Sequence, residues 1–302
     1  MMGTKENIET YRKGAAAALI IFLKGLMMGC ADIIPGVSGG TIALIVGIYQ
    51  RWIEAINSVF AQIKVENIRH LARFDFKKLM RNILSIDFVL IIPLALGIMT
   101  AFLALSNVIH YVMEHYTAIT YAFFFGLIFA SAVFLYKKLD SFRGNRILMC
   151  IIGFLIGFII VGIGTLKANH SLLVLLFSGS VAITAMILPG ISGAFILVML
   201  NQYEYVVNMI RTLSFKEIFV FGVGALFGLF IFTKLLNYLL HKHKGKTMGF
   251  LIGLMLGSLR LQCSMINSQA LTLSDKVGVA IAVVVGFLVV YLLSRVASKH
   301  KT

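Results

Sequence analysis

The sequence predicts an all-α integral membrane protein made of two inverted-topology repeats, each a re-entrant PG-containing helical hairpin followed by three transmembrane helices. Hydrophobic residues make up 60% of the 302 residues and charged residues only 13%, too few to cover a soluble globule of this size. Apolar runs of about 20 residues, the length that spans a bilayer, recur along the chain. A third observation is an unusual segment near the start of the chain that returns in its second half.

The returning segment places a helix breaker in apolar surroundings twice. "ADIIPGVSGGTIALIVGIY" at 31–49 returns as "AMILPGISGAFILVMLNQY" at 185–203, and the two copies contain two of the three prolines in the chain. Weaker repetition follows: "FGLIFAS" resembles "IGLMLGS", and "IGFII" resembles "VGFLV". The identical positions of the two copies are Ala31/Ala185, Ile33/Ile187, Pro35/Pro189, Gly36/Gly190, Ser38/Ser192, Gly39/Gly193, Ile42/Ile196 and Tyr49/Tyr203.

The repetition predicts how the single membrane domain, 1–302, is organised. The first repeat covers 14–165 and the second covers 171–298. The first repeat carries an insertion at 56–87 in which leucine, isoleucine and phenylalanine are interleaved with lysine and arginine. Such a composition is typical of an amphipathic helix that lies on the cytoplasmic leaflet among anionic lipids. A solvated linker is the alternative for this insertion.

Each PG motif is predicted to form the turn of a re-entrant hairpin. Proline disfavours helix at the preceding residue and lacks an N–H, so the incoming helix should end just before Pro35 or Pro189. Gly36 and Gly190 then permit the turn. The outgoing helices of about twelve residues rise about 18 Å, whereas the hydrocarbon core is about 30 Å thick. A helix this short favours a hairpin that enters and leaves on one side.

Six further apolar runs are candidate membrane spans, three in each half. If each half crosses the membrane an odd number of times, the second half is inverted relative to the first. Inverted repeats with broken helices are a common plan of secondary transporters. A duplication retained only for packing is the alternative. The candidate spans are 88–111, 117–136, 147–165, 217–240, 247–262 and 277–294.

The formal net charge of +15 is carried by short connections between the spans. Lysine and arginine concentrate in cytoplasmic connections of membrane proteins. The distribution therefore predicts that both termini, the insertion 56–87 and the connections 137–146 and 241–246 are cytoplasmic. The same distribution argues against a nucleic-acid partner.

The PG motifs are the candidate substrate site. A helix broken inside a membrane leaves backbone groups that need a partner or a water-filled cavity. The N-terminus of the outgoing helix presents unpaired N–H groups, which favour an anion such as phosphate. The predicted binding residues are Ser38, Gly39, Gly40 and Thr41 in the first motif and Ser192 and Gly193 in the second.

Ionisable residues within membrane segments are costly and are functional candidates. Lys24, Arg211, Lys234 and Arg260 are candidates for neutralising a bound phosphate; for Lys234 and Arg260, snorkelling to the interface is an equal alternative. Asp32 shares a helix face with Lys24 because about two turns separate them. Asp32 either pairs with a cation or carries a coupling proton. We expect no metal and no cofactor.

The first motif and its flanks, "MGCADIIPGVSGGTIALIVGIYQRWIEAI", together with the second copy, resemble the bacterial polyprenyl-phosphate (undecaprenyl-phosphate) transporter family over 14–294. The resemblance implies a plasma-membrane flippase that returns undecaprenyl phosphate, the lipid carrier of cell-wall precursors, from the outer to the inner leaflet. Ala194 stands where a second hydroxyl is expected, so the second motif is poorer in donors. The family motif carries onto Asp32, Pro35, Gly36, Ser38, Gly39, Gly40, Thr41, Pro189, Gly190, Ser192 and Gly193.

Three other functions stay open beside this transporter. A polyprenyl diphosphate phosphatase-like enzyme also uses inverted halves and a PG-x-S motif. Its chemistry needs paired carboxylates and an arginine beside the serine, whereas Gly39 and Gly40 follow Ser38 here and the glutamates lie in loops or at segment ends. An ion-coupled transporter of a soluble anion is the second alternative, and a non-transporting scaffold is a third. We expect a transporter whose partners are undecaprenyl phosphate and anionic membrane lipids.

Overall fold

The structure is a computed structural model that describes residues 3–34, 36–62, 86–137, 139, 144–166, 168–269 and 272–299. Within these ranges, the side chains of 3–13, 106 and 293–299 are not described. Pro35 and the greater part of the predicted amphipathic insertion lie outside the described residues.

All regular secondary structure in the described ranges is helical. The first half contains α1 Gly3–Ile33, α2 Gly39–Ile45, α3 Tyr49–Ala61, α4 Phe88–Thr100, α5 Ser106–His115, α6 Thr117–Lys137 and α7 Asn145–Gly162. A π-helical turn, Ala101–Leu105, joins α4 to α5. The second half contains α8 Leu172–Ile187, α9 Gly193–Met199, α10 Tyr203–Arg211, α11 Phe215–Lys242, α12 Lys244–Asn267 and α13 Leu273–Lys299.

Seven of the described helical segments are long and apolar enough to cross a membrane. Six overlap the six predicted spans, and the seventh is the helix that leads into the first PG motif. Leu172–Ile187, which leads into the second motif, is apolar but shorter. The prediction of an all-α, multi-pass membrane protein is confirmed. The seven segments are Gly14–Ile33, Phe88–Leu105, Thr117–Lys137, Asn145–Gly162, Phe215–Lys242, Lys244–Asn267 and Leu273–Leu292.

The long helices pack in pairs, and corresponding helices of the two halves make corresponding pairs. Helix α1 packs against α4, just as α8 packs against α11. Helix α6 packs against α13, and α7 packs against α12, so each of these pairs takes one helix from each half. Helices α6 and α12 also contact each other. The two halves of the sequence are therefore interleaved in the packed structure.

Glycines set the spacing of the pairs that cross between the halves. A Cβ atom added at Gly253 of α12 would overlap the carbonyl oxygen of Cys150 in α7, and one at Gly153 would overlap the carbonyl oxygen of Phe250. Helix α6 meets α13 in the same way through Gly126. Small residues at such interfaces let helix backbones approach closely, and close packing drives helix association in a bilayer.

Gly253→Ala should destabilise the protein because its methyl group has no room between α12 and α7. We expect a loss of about 1–3 kcal/mol, typical of overpacking, measured as a lower thermal unfolding midpoint in detergent. Gly222→Ala is the matched control, because a Cβ added at this glycine of α11 meets nothing within 4 Å. Equal midpoints for the two variants would contradict the close packing.

Candidate functional site

The two PG motifs have closely similar local structures. Helix α1 ends at Ile33 and α8 ends at Ile187, and the glycine after each proline has a positive φ, +85° at Gly36 and +90° at Gly190. Glycine adopts this region without the steric cost that a Cβ would bring. A serine then caps each short helix: the Ser38 hydroxyl accepts the N–H of Gly40 (3.1 Å). These features follow the pattern that the sequence predicted.

The Ser192 hydroxyl caps α9 in the second motif, where it accepts the N–H of Phe195 at a longer distance of 3.5 Å. Ser192 is buried, as are Gly193, Pro189 and Gly190. A Cβ added at Gly193 would lie 2.7 Å from the carbonyl oxygen of Ala182 in α8, so this glycine lets the two arms of the second motif approach each other.

Buried hydrogen bonds join the two motifs directly. The Ser38 Oγ lies 3.1 Å from the carbonyl oxygens of both Met186 and Leu188, and its single proton serves these two acceptors. The Thr41 Oγ1 accepts the N–H of Gly190 at 2.9 Å. Both hydroxyl-bearing side chains are fully buried. The first motif thus supplies side-chain hydroxyls, and the second supplies backbone groups.

Two residues outside the predicted site also donate hydrogen bonds to backbone carbonyls at the motifs. The buried Tyr49 hydroxyl donates to the carbonyl oxygen of Ile187 (3.3 Å), and Gln262 Nε2 donates to the carbonyl oxygen of Gly36 (2.9 Å). The Gln262 Oε1 is buried and has no hydrogen-bond partner among the described residues. Tyr49 carried a sequence signal, since the second copy repeats it at Tyr203. The signal for Gln262 was weak, an amide at the end of an apolar run.

Asp32 and Lys24 hold the two ends of α2. The Asp32 Oδ1 accepts the N–H of Gly39 at 2.7 Å, at the N-terminus of this helix. The Lys24 Nζ donates to the carbonyl oxygen of Val46 at 3.0 Å, at its C-terminus. A negative group at the first end and a positive group at the second complement the helix dipole. In the described part of the chain, no cation lies within salt-bridge distance of Asp32.

The other three basic candidates lie elsewhere. The exposed Arg260 donates from Nη1 to the carbonyl oxygen of Phe158 (2.9 Å) and covers the ring of the same residue. Lys234 is exposed, with its ammonium 5.7 Å from the centre of the Phe230 ring. Arg211 lines a polar cavity of about 830 Å³ together with His170. Among the described residues, no hydrogen bond connects these three cations to a PG motif.

The polar groups of the site interact through hydrogen bonds. Its hydroxyls and amides can bind an anion, but they are engaged with one another in this arrangement. Within the described ranges, no three His, Cys, Asp or Glu side chains come close enough to hold a metal ion. Two broken helical segments that meet through buried polar contacts inside a bundle of long apolar helices define a class of protein, the multi-pass membrane transporters.

Comparison with known proteins gives the particular family. Residues 28–280 match the family model described as "VCA0040-like: Undecaprenyl phosphate translocase-like". The chain belongs to this family. The family is one of transporters, so the protein is a transporter and not an enzyme, and the phosphatase alternative is removed.

Two curated relatives carry the name "Polyprenyl-phosphate transporter". The one from Vibrio cholerae is 36% identical over 242 residues, which cover 80% of this chain and 76% of the relative. The one from Staphylococcus aureus is 31% identical over 258 residues, which cover 80% of this chain and 84% of the relative. No solved structure matches the chain.

Thr41→Val should destabilise the contact between the motifs because it removes the acceptor for the buried N–H of Gly190. Leaving such a donor unsatisfied costs about 1–3 kcal/mol, which we expect as a lower unfolding midpoint in detergent. The isosteric control is Thr184→Val, because the Thr184 hydroxyl donates only to a carbonyl of its own helix, that of Ser180. A Thr41→Val protein as stable as the control would show that this hydrogen bond contributes nothing.

Proposed function

We propose that the protein transports undecaprenyl phosphate across the bacterial plasma membrane, from the outer to the inner leaflet, so that the carrier lipid is used again. Family membership and the two relatives named as polyprenyl-phosphate transporters support this substrate class. The structural observation that carries the proposal is the buried contact of the two PG motifs through Ser38 and Thr41. It gathers anion-binding groups at one place inside a protein of long apolar helices.

The proposed architecture is two inverted repeats with re-entrant hairpins. The corresponding helix pairs of the two halves support the repeat: α1 with α4 and α8 with α11. The lengths of α2 and α9 support the hairpins, since each has seven residues. Seven residues rise about 10 Å, so neither helix reaches across a hydrocarbon core of about 30 Å.

We propose that the phosphate binds at the backbone and hydroxyl groups of 38–41 and 192–193, in place of the contacts that now join the motifs. A neutral hydrogen bond contributes about 0.5–1.5 kcal/mol, whereas one to a charged group contributes about 1.5–3 kcal/mol. Each hydroxyl–phosphate contact is therefore stronger than the hydroxyl–carbonyl contact that it replaces. Closing the motifs on each other after release satisfies the same groups while the site is empty.

Asp32 sets a condition on this exchange. Its carboxylate accepts the Gly39 N–H, the same donor that a phosphate at the first motif would use. Two anions cannot share one amide without strong repulsion, because charges at short range in a weakly polar interior interact strongly. We propose that Asp32 takes up a proton when the phosphate binds, which links transport to proton movement.

The phosphate also needs positive charge, which we propose at least one of the basic candidates supplies. Lys24 contacts the helix that follows the first motif, but at its C-terminal end, about 10 Å from the amides at its N-terminus, so it would have to move its ammonium toward a bound phosphate. Arg211, Lys234 and Arg260 make their described contacts away from the motifs, so their participation requires a different arrangement of helices.

Transport by the purified protein in vesicles tests the function and the site together. Wild-type protein should move undecaprenyl phosphate between leaflets, and excess inorganic phosphate should not be carried in its place. Gly39→Leu should slow lipid movement at least about tenfold, equivalent to about 1.4 kcal/mol, because a side chain there overlaps the Asp32 carboxylate. Gly14→Leu is the control, since a Cβ added at Gly14 meets nothing within 4 Å.

Each alternative has its own outcome in this assay. Wild-type vesicles that carry inorganic phosphate but leave the lipid in place would support a transporter of soluble anions and overturn the proposed substrate. A stably inserted Gly39→Leu protein that moves the lipid as fast as Gly14→Leu would instead show that the phosphate binds away from the PG motifs.

The proposed orientation predicts that the two ends of α12 lie on opposite sides of the membrane. In a chain without Cys30, Cys150 and Cys263, we expect Lys244→Cys to react with an impermeant thiol reagent only from the cytoplasm. Ser268→Cys should react only from outside. The lysine-rich start of α12 is the reason, because lysine and arginine favour the cytoplasmic side. The opposite labelling of the two cysteines would show that the proposed orientation is wrong.

A further inference from the structure

An apolar groove of about 670 Å³ lies beside the first PG motif. Its walls come from four helices, α1, α5, α6 and α13. The buried Ile34 lines it immediately before that motif, and Cys30 lines it one helical turn earlier. Val108 of α5 and Ile281 of α13 also line the groove, and both are more than half exposed. The groove therefore connects the edge of the motif with the outer, lipid-facing surface of the bundle.

The π-helical turn Ala101–Leu105 interrupts the helix at this groove. Leu105, the last residue of the turn, lines the groove together with the following helix α5. The corresponding helix of the second half, α11, continues as one α-helix from Phe215 to Lys242. Helices bend at π-turns, and such turns occur frequently at functional sites. A difference between the repeats thus coincides with the groove.

The walls of the groove are suited to a hydrocarbon chain. Aliphatic and aromatic side chains form nearly all of the lining. The hydroxyl of Thr120 is part of the wall, but it donates to the carbonyl oxygen of Tyr116 within its own helix (2.9 Å). This hydroxyl proton is therefore already hydrogen-bonded and needs no polar ligand. A phosphate in this groove would lose its hydration without gaining donors, whereas an isoprenoid chain would lose nothing.

We propose that this groove holds the part of the polyprenyl tail that lies next to the phosphate while the lipid is bound. The inference rests on the proposed function, because it takes the head group to be at the first PG motif. Head and tail are covalently joined, so a phosphate at a buried motif requires an apolar exit that begins beside it. The groove begins at Ile34, adjoining the motif, and opens where Val108 and Ile281 face the lipid.

The groove should bind the tail because its shape matches the chain, and not because the chain leaves a more polar surrounding. Lipid tails are as apolar as the protein surface, so a chain gains little free energy by leaving the bilayer for the groove. Close dispersion contacts with a chain of matching width are the available gain. The groove should therefore position the tail, and a short-chain phosphate should use it as well, because its few isoprene units are the part next to the head group.

Two tryptophan variants of α13 test this inference in vesicles. Ile281 is 58% exposed and lines the groove, whereas Val284 is 55% exposed and lies outside the lining. Ile281→Trp should slow the movement of undecaprenyl phosphate at least about tenfold relative to Val284→Trp, a difference of about 1.4 kcal/mol. Ile281→Trp should slow farnesyl phosphate as well, because its short tail consists of the isoprene units next to the phosphate that the groove is proposed to hold.

The outcomes separate this inference from the function on which it rests. Equal rates of undecaprenyl phosphate movement by the two variants would overturn the proposal that the groove holds the tail. Slowing of undecaprenyl phosphate alone, with farnesyl phosphate moved at similar rates by both variants, would also overturn it, because the blocked surface would then hold the distal part of the tail. A wild-type protein that moves neither lipid would show that the proposed function itself has failed.

A second measurement on the unaltered protein does not depend on how the variants fold. Undecaprenyl phosphate carrying a photoreactive diazirine on an isoprene unit near the phosphate should label groove residues such as Cys30, Val112 and Phe124. Labelling concentrated on lipid-facing residues outside the groove, such as Leu226 of α11, would overturn the proposal.

Discussion

The constraint on which this structure depends is that no backbone polar group can stay unpaired in hydrocarbon. The chain breaks two helices deep inside an apolar bundle, which exposes amides and carbonyls at both breaks. Side chains of the first break satisfy backbone groups of the second: Ser38 donates to the carbonyls that end α8, and Thr41 accepts the N–H of Gly190. Gln262 from α12 adds a donor for Gly36. The second break thus depends on the first, whereas the first depends on its own Asp32 and Ser38 and on α12.

The duplicated motif is used asymmetrically, and this asymmetry bears on mechanism. Where the first copy has Asp32 and Thr41, the second has Met186 and Phe195. The first motif therefore contributes a carboxylate and two buried hydroxyls, while the second contributes mainly backbone groups. The π-helical turn also lies in the first half, and the apolar groove is lined by three helices of the first half together with α13. The polar side chains of this contact are thus concentrated in the first half of the chain.

Packing decides which parts of the molecule behave as units. Helices α6 and α13, like α7 and α12, are held at glycine contacts where a single methyl group has no room. Each of these pairs joins the two halves of the sequence, so the halves are not separable bodies. The pairs α1 with α4 and α8 with α11 carry the motifs and each stay within one half.

The sequence by itself determined the helical class, the long apolar helices and the local structure of the motifs, because these depend on composition and on near neighbours. Proline and glycine end α1 and α8, and serine caps α2 and α9, whatever surrounds them. Only the tertiary structure decided the partners. The sequence placed Lys24 and Asp32 on one helix face, but it could not show that they bind opposite ends of α2. It also could not show that Arg260 of α12 contacts Phe158 of α7, that Tyr49 binds the end of α8, or that Gln262 binds Gly36. Hydrogen bonds between residues far apart in the chain depend on how the helices pack, and periodicity within a single helix carries no record of that packing.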